Sequence, residues 1–131
     1  MPLTSLIAQT PHEPEKGSAE RRAILDSLRI PVERDLKQKI VFAADHFKVS
    51  GNWAFVSGAP QTPAGGRPNY TNTKYRDAFE SDAFDHNFFA LLNRIRGKWK
   101  VVRYAIGCTD VCYLDWPANA RAPKAIFPHS E

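Results

Sequence analysis

Cysteine and long apolar runs are scarce in this chain, and each scarcity excludes a class of protein. Among 131 residues there are two cysteines and one methionine. Cys108 and Cys112 stand four positions apart, so they do not form a CxxC pair, and no second pair completes a four-ligand zinc site. The histidines at positions 12, 46, 86 and 129 are isolated from one another. The sequence therefore predicts no metal site and no cofactor.

Membrane spans and common catalytic motifs are also missing. Crossing a bilayer takes about 20 consecutive apolar residues, and no run in this sequence approaches that length. The nucleophile elbow, the P-loop, the dinucleotide glycine motif and HExxH do not occur either. These absences exclude the enzyme classes that are easiest to recognise, but they leave open an enzyme whose site is assembled from distant residues.

The composition that is present fits one globular domain. Apolar residues make up 43% of the chain and charged residues 24%, values typical of a chain that folds unaided around one hydrophobic core. Eighteen lysines and arginines against fourteen aspartates and glutamates leave a net charge of +4, which is spread thinly. A charge of this size indicates a solvated surface and weak attraction to anionic polymers or lipids.

Residues 1–17 are predicted to be a disordered tail, and the domain is predicted over residues 18–131. Pro2, Pro11 and Pro14 interrupt the first segment. Its apolar patch at residues 6–8 is shorter than the roughly 7–15-residue core of a signal peptide. The patch is interpreted either as the stub of a leader or as part of a polar tail, and the first interpretation favours a periplasmic or secreted protein.

An amphipathic helix is predicted to begin after Ser18, which is a good N-cap residue. The apolar residues that then recur at helical spacing are Ile24, Leu25, Leu28, Val32 and Leu36. Pro31 should kink this helix or divide it, because an interior proline removes a backbone hydrogen bond and clashes with the preceding turn.

Two β-hairpins are predicted downstream of the helix. The first joins residues 39–49 to 52–59, and the second joins residues 88–95 to 98–107 through a tight turn at Arg96–Gly97. In the first hairpin, one face of the first strand is predicted to carry Val41, Ala43, Phe47 and Val49, with Asp45 as the odd member. Trp53 and Phe55 are predicted to share a face of the returning strand.

The remaining segments are predicted to be irregular. Residues 58–74 are rich in proline and glycine and indicate a long loop, and residues 75–85 suggest a short helical turn. Beyond Gly107 the alternation is lost, and three prolines predict an extended C-terminal arm on the surface.

These elements predict an α+β fold in which the N-terminal helix packs on a curved four-stranded antiparallel sheet. The arrangement resembles cystatin-like and nuclear-transport-factor-2-like (NTF2-like) folds. The segments ERRAILDSLR, GNWAFVSGAPQ and GKWKVVRYAIGCTDV resemble a family of small uncharacterised bacterial proteins, many of them exported, over residues 18–116. The resemblance implies an architecture, and it carries no catalytic residue.

The stretch AIGCTDVCYLDW, residues 105–116, is where a functional site is most expected. Its two cysteines either form a local disulfide, if the residues between them turn, or remain separate thiols. The residues predicted to form a binding surface are Tyr104, Asp110, Tyr113, Asp115 and Trp116, which combine apolar rings with polar anchors. For an enzyme, the speculative catalytic residues are His46, Tyr104 and Asp110.

The leading hypothesis is a non-catalytic binding or interaction module of the cell envelope, whose partner is an unknown protein or small ligand. One alternative is a small NTF2-like enzyme with a pocket between sheet and helix. Another is a subunit of a larger assembly, such as a homodimer formed through the outer face of the sheet. Nucleic-acid binding is not favoured, because the alternation places Trp99 in the core and Lys98 and Lys100 on the other face.

Overall fold

A computed structural model describes residues 10–129 of the chain. Its helices and strands are α1 (Ala19–Leu36), β1 (Val41–Ser50), β2 (Trp53–Gln61), α2 (Arg76–Glu80), β3 (Phe88–Ile95), β4 (Lys98–Ile106) and α3 (Trp116–Ala120), followed by a 3₁₀ turn (Lys124–Ile126). The strands form one antiparallel sheet in the order β1-β2-β3-β4, which confirms the predicted α+β fold. The apolar patch at residues 6–8 and the first part of the predicted tail lie outside the described residues.

Helix α1 begins where its sequence predicts. The Ser18 hydroxyl accepts a hydrogen bond from the backbone N–H of Arg21 at 3.1 Å and so caps the helix. At the other end, Lys37 adopts the left-handed conformation with φ 58°, and its N–H donates to the Glu33 carbonyl. The buried residues of the helix are Ile24, Leu28, Val32 and Leu36, which form one stripe against the sheet.

Pro31 does not divide α1, which runs without a break from Ala19 to Leu36. Proline cannot donate to the carbonyl of Ser27, four residues earlier, and an interior proline costs a helix about 3 kcal/mol. Leu28 and Val32 lie on either side of it and are fully buried. Burial of each such side chain contributes about 1.5–3 kcal/mol, so packing on the sheet offsets the cost of the proline.

Both hairpins have two-residue turns. Gly51–Asn52 joins β1 to β2, and Arg96–Gly97 joins β3 to β4. In the second turn both residues have positive φ, 54° and 78°, as a type I′ turn requires. Glycine adopts this conformation without strain, so the second hairpin forms where the sequence predicts it.

A β-bulge at Asp45 changes which residues of β1 face the helix. The pairing with β2 shifts between Ala44 and His46, so Asp45 is an extra residue in the strand. The residues of β1 on the helix side are Phe42 and Ala44 before the bulge, and Phe47 and Val49 after it. The prediction that Val41 and Ala43 share this face was wrong, because one inserted residue reverses the alternation.

Strand β4 has a second bulge, at Val102. Leu91 of β3 pairs with Arg103 and Leu92 pairs with Val101, so Val102 is the extra residue. The residues of β4 on the helix side are Trp99 and Val101 before the bulge, and Tyr104 and Ile106 after it. Both bulges lie on edge strands, where they hinder pairing with another sheet.

The sheet separates two apolar clusters, although the composition predicted one core. The helix-side core lies between α1 and the sheet. The arm-side core lies on the opposite face, and its members are Phe55, Leu91, Tyr113, Trp116, Ala122, Ile126 and Phe127. The arm therefore differs from the extended surface arm that was predicted. It contains α3 and the 3₁₀ turn, because its apolar side chains are buried against β2 and β3.

The chain before α1 also packs against the sheet, although a tail was predicted up to residue 17. His12 and Val49 exchange two backbone hydrogen bonds, of 2.9 and 2.8 Å. Pro14 is buried, and its carbonyl accepts a hydrogen bond from Arg21 Nη1 at 2.9 Å. The packed unit thus begins before Ser18, since this segment covers part of the outer edge of β1.

Strand β2 continues to Gln61, so the loop predicted from residue 58 begins at residue 62. Strand β3 pairs with β2 only as far as Gly58. Pro60 therefore lies on a part of β2 that is free on one side, where a missing N–H is tolerated. The loop of residues 62–87 contains α2, within the predicted helical turn, and the aromatic residues that it packs against the helix-side core are Tyr70, Tyr75 and Phe84.

Candidate binding site at the end of helix α1

The carboxylate of Asp35 gathers three side chains at the C-terminal end of α1. The Tyr104 hydroxyl, from β4, donates a hydrogen bond to Asp35 Oδ2. The Tyr75 hydroxyl, from the long loop, lies 3.5 Å from the same oxygen, and Lys74 Nζ lies 3.4 Å from it. These four residues are named the Asp35 cluster. The cluster joins the helix, the loop and the sheet at one point.

The environment of the Asp35 cluster makes both of its tyrosines harder to ionise than a free tyrosine. Burial raises the pKa of Tyr104, and the hydrogen bond to Asp35 and the charge of that carboxylate raise it further. The pKa of Tyr75 is raised to about 12, again by burial first and by Asp35 second. Both hydroxyls therefore donate hydrogen bonds at physiological pH, and neither is suited to act as a general base there.

Tyr70 carries a buried hydroxyl that has no hydrogen-bond partner within residues 10–129. Its ring packs on Phe79 and Phe84, with centroid distances of 5.4 and 4.6 Å. Burial raises the pKa of Tyr70 to about 12, and the positive charge of Arg67 opposes that rise. A buried donor without a partner costs about 1–3 kcal/mol, so this part of the loop depends on ring packing for its stability.

The side chain of Gln38 holds the loop against the end of α1. Its Nε2 donates to the Asn69 carbonyl at 2.8 Å, and its Oε1 accepts from the Asn69 N–H at 3.1 Å. The same Nε2 lies 2.9 Å from the Leu36 carbonyl. One amide side chain thus satisfies both backbone groups of Asn69, as a neighbouring strand would.

A depression of about 320 Å³ opens beside the Asp35 cluster. The residues that line it are Leu36, Lys37, Gln38, Asn69 and Asn72. Leu36 follows Asp35 directly, and Asn72 lies two residues before Lys74, so the depression and the cluster are built from neighbouring residues of the helix end and the loop. Lys37, Gln38, Asn69 and Asn72 contribute ammonium and amide groups to the lining. The volume lies at the lower end of the range of ligand sites, roughly 300–1,000 Å³. This surface is named the polar depression.

The speculative catalytic residues do not lie together. Tyr104 is on the helix side of the sheet, in the Asp35 cluster. His46 is on the arm side, where its Nε2 lies 2.8 Å from the Ile126 carbonyl and its ring packs edge-on against Phe55. Asp110 is exposed in the segment between the two cysteines. A proton relay among the three would therefore have to cross the sheet.

The residues predicted to form a binding surface do not share one surface. Tyr113 and Trp116 are each 4% exposed and belong to the arm-side core. Asp110 and Asp115 are exposed, whereas Tyr104 lies on the other side of the sheet. The two aromatic residues of the arm therefore hold the arm to the sheet, and only Tyr104 belongs to the site described above.

Cys108 and Cys112 form a disulfide, which decides between the two alternatives that the sequence left open. Their Cα atoms lie 6.2 Å apart. Asn87 supports the start of this segment, since its side chain donates to the Cys108 carbonyl at 2.8 Å and accepts from the Gly107 N–H at 3.0 Å. The disulfide closes the turn through which the chain leaves β4 and begins the arm.

Sequence reasoning identified Tyr104 but missed Asp35 and the loop residues around it. Asp35 lies three residues after Val32 and seven after Leu28, so it falls beside the apolar stripe of α1. An acidic residue in that position is a signal that could have identified it. No comparable signal exists for Lys74 and Tyr75, because the loop that carries them has no periodicity.

No family model, curated protein or solved structure was found to match the chain. The resemblance to exported bacterial proteins therefore stays a prediction, as does the homodimer.

In the described part of the chain, His, Cys, Asp and Glu side chains form no group of three or more that could hold a metal ion. Of the helices within residues 10–129, none is both long enough and apolar enough to cross a membrane.

Proposed function

We propose that the protein is a non-catalytic binding module of an oxidising, extracytoplasmic compartment, and that it takes a small polar ligand in the polar depression. The observation that carries the proposal is the position of this depression beside the Asp35 cluster. Asp35 accepts a hydrogen bond from the Tyr75 hydroxyl, and Gln38 exchanges two hydrogen bonds with Asn69, so the loop is tied to the helix there. A site that is held in place before binding loses less conformational entropy when the ligand arrives.

The lining of the depression favours a ligand that accepts hydrogen bonds. The Lys37 ammonium and the Asn72 side-chain amide have no hydrogen-bond or ion-pair partner within the described chain. The charge of Lys74 is offset by its ion pair with Asp35, so Lys37 supplies the positive charge of the lining. A small carboxylate or a molecule rich in hydroxyl groups would satisfy these donors.

The packing between sheet and helix supports binding over catalysis in an internal pocket. Leu28 of the helix and Val56 and Leu92 of the sheet have no exposed surface. An NTF2-like enzyme would need space for a substrate at this interface, and side chains fill it. The separation of His46, Tyr104 and Asp110 points in the same direction.

Two features support the compartment and the architecture that the sequence suggested. The Cys108–Cys112 disulfide is of a kind that persists mainly in oxidising compartments. One long helix followed by a four-stranded meander supports a cystatin-like or NTF2-like arrangement. Such an arrangement hosts many activities, so the function is argued from the site.

The test is a titration of isotopically labelled protein with single carboxylic acids and monosaccharides, followed by NMR. The amide resonances of Lys37, Asn69 and Asn72 are expected to shift with a saturating dependence on ligand concentration. Shifts confined to other parts of the chain, or no saturable shift with any compound, would contradict the proposal.

A matched pair of variants sharpens this test. Lys37→Gly removes a cation of the polar depression and suits the left-handed backbone of that residue, so binding should weaken about tenfold without loss of fold. Arg121→Gly is the control, because Arg121 caps α3 with φ 58° and ψ 38°, close to the φ 58° and ψ 37° of Lys37. An equal loss of affinity in both variants would count against the depression as the site.

A further inference from the structure

The β3–β4 hairpin concentrates positive charge. Residues 88–107 contain five lysines and arginines and no aspartate or glutamate, although the whole chain has a net charge of only +4. One of the five, Arg94, packs 5.2 Å from the Trp99 ring and donates to the Asn52 side chain at 3.2 Å. The other four basic residues are exposed and are named the basic face: Arg96, Lys98, Lys100 and Arg103.

Three members of the basic face point to the same side of the sheet. Lys98, Lys100 and Arg103 pair with alternate residues of β3, at positions 95, 93 and 91. Leu91 belongs to the arm-side core, and alternate residues of a strand share a face. The 3₁₀ turn of the arm packs on β1 and β2, so the cations of β4 lie exposed beside the arm.

The positive charge of the basic face is not neutralised by any ion pair within residues 10–129. The ion pairs within residues 10–129 involve other lysines, arginines and histidines, and none includes Arg96, Lys98, Lys100 or Arg103. Two large aliphatic side chains next to these cations are also exposed, Ile95 by 50% and Val102 by 43%. Uncompensated cations and exposed aliphatic groups therefore occur together on one hairpin.

We propose that the basic face docks the protein on an anionic lipid surface. Each lysine or arginine near an anionic bilayer raises the partition coefficient roughly fivefold. Aliphatic side chains add to binding when they enter the headgroup region, a contribution that Ile95 can make and that a nucleic acid or an acidic polysaccharide cannot use. Single-stranded nucleic acid would need exposed rings for stacking, and Trp99 of this hairpin is only 8% exposed.

The proposal is independent of the polar depression. The basic face lies on the arm side of β4 and in the turn before it, whereas the depression lies at the end of α1 on the helix side. A variant of one surface should therefore leave the other intact. Lysines on an edge strand can also serve to block pairing with another sheet, and the experiment must separate that role from lipid binding.

The experiment is co-sedimentation of the full chain with vesicles of phosphatidylcholine alone and of phosphatidylcholine mixed with phosphatidylglycerol. The protein should bind the anionic vesicles and not the neutral ones, and binding should fall as salt is added. The triple variant Lys98→Ala, Lys100→Ala, Arg103→Ala should bind about 100-fold more weakly. Ile95→Ser should weaken binding a few-fold, and this loss should persist at high salt because apolar contacts are not screened.

The control variant removes the same charge elsewhere. Lys16, Arg22 and Lys39 are all exposed and lie outside the arm and the β3–β4 hairpin, and their triple replacement by alanine should reduce binding no more than about fivefold. The Lys37→Gly protein should bind vesicles as the parent does. Circular dichroism establishes that each variant is folded before it is compared.

Several results would overturn the proposal. One is an equal loss of binding in the two triple variants, and another is failure of the parent to bind anionic vesicles. Binding to heparin or single-stranded DNA without binding to vesicles would assign the basic face to a polymer instead. If the Lys98, Lys100 and Arg103 variant self-associates yet still binds vesicles as the parent does, these cations protect the sheet edge and do not bind lipid.

Discussion

The helix-side core and the arm-side core share one sheet but are built from different residues. On the helix side, aliphatic residues such as Leu28, Val32 and Leu92 follow the periods of a helix and of strands. On the arm side, aromatic rings meet around Phe55, which lies 4.6 Å from the Phe127 centroid and 5.0 Å from the Tyr113 centroid. In the helix and strands, the buried side chains recur at the regular spacing of the element. In the irregular arm, a few aromatic rings make the contacts with the sheet.

Adjacent leucines of β3 allow the two cores to be compared directly. Leu91 and Leu92 are both fully buried, the first in the arm-side core and the second in the helix-side core. Each replacement by alanine should lower the free energy of unfolding by about 2–5 kcal/mol, because it removes methyl groups and leaves a cavity. Urea denaturation measures both losses. A loss below about 1 kcal/mol for Leu91→Ala would show that the arm contributes little to folding.

After these leucines, the position where substitution should lower the stability most is Gly107, at which the chain leaves β4 and enters the arm. Gly107 has φ 82°, and a Cβ there would lie 2.0 Å from the ring of Phe84. Gly107→Ala should therefore cost about 2–4 kcal/mol, from backbone strain and from displacement of the ring.

Gly97→Ala is the control for the Gly107 variant. Gly97 has a similar φ of 78°, but its Cβ position has no atom within 4 Å. Strain alone should cost this variant about 1 kcal/mol. Thermal and urea unfolding of both proteins give the two values, and equal losses would show that contact with Phe84 is unimportant.

The disulfide should matter mainly to the arm-side core. Closing a loop of about five residues stabilises a protein by roughly 2 kcal/mol through the unfolded chain. Replacing both Cys108 and Cys112 by serine should cost this amount and should speed hydrogen exchange in the arm more than in α1. Reduction of the parent should have the same effect, and the serine variant should not respond to reductant. Equal acceleration of exchange in α1 would contradict the assignment to the arm.

The smallest expected changes in the free energy of unfolding at neutral pH come from replacing two tyrosines by phenylalanine, one on each side of the sheet. Tyr104→Phe removes the hydrogen bond to the Asp35 carboxylate, at a cost of about 1.5 kcal/mol. Tyr113→Phe removes a hydroxyl that makes no hydrogen bond within residues 10–129, and its cost should be close to zero. Urea denaturation at neutral pH compares them, and equal costs would show that the Asp35 hydrogen bond adds nothing to stability.

The raised pKa values of Tyr75 and Tyr104 allow the comparison to be extended to alkaline pH. The pKa of Tyr75 is about 12 in the folded protein, against 10.0 for a free tyrosine, and the pKa of Tyr104 is also raised. Because its pKa is higher in the folded protein, each tyrosine contributes its full stabilisation below pH 10.0. This contribution is lost as the pH rises towards the pKa of the folded protein. The parent should therefore lose stability between these limits, and Tyr104→Phe should lose less. Phenolate absorbance identifies the ionisation, and an unchanged pH dependence in Tyr104→Phe would contradict this account.

The regular elements could be predicted because their signals are local. Ser18 is followed by an apolar stripe that predicts α1, and the Arg96–Gly97 turn lies between two alternating segments. The phase of that alternation could not be predicted, because the bulges at Asp45 and Val102 are defined only by pairing with a neighbouring strand. For this reason, the residues of β1 before the bulge were assigned to the wrong face of the sheet.

The candidate site could be predicted only in part. Tyr104 was recognised as an aromatic residue near the end of a strand, but its partner Asp35 is 69 residues away in sequence. Tyr113 and Trp116 were expected on a surface because the arm shows no periodicity, and ring packing that is not periodic leaves no pattern in the sequence. The cysteine spacing permitted a disulfide but could not require one.

By itself, the sequence determined the order of the elements from α1 to β4, the turn of the second hairpin and the absence of the common catalytic motifs. Those properties depend on neighbouring residues, whose backbone preferences and spacing act within a few positions. Only the tertiary structure decided that the arm covers a second face of the sheet, that Cys108 joins Cys112, and that Asp35 meets Tyr104. These contacts depend on how distant segments dock, and docking is governed by the shape and burial of side chains on both partners.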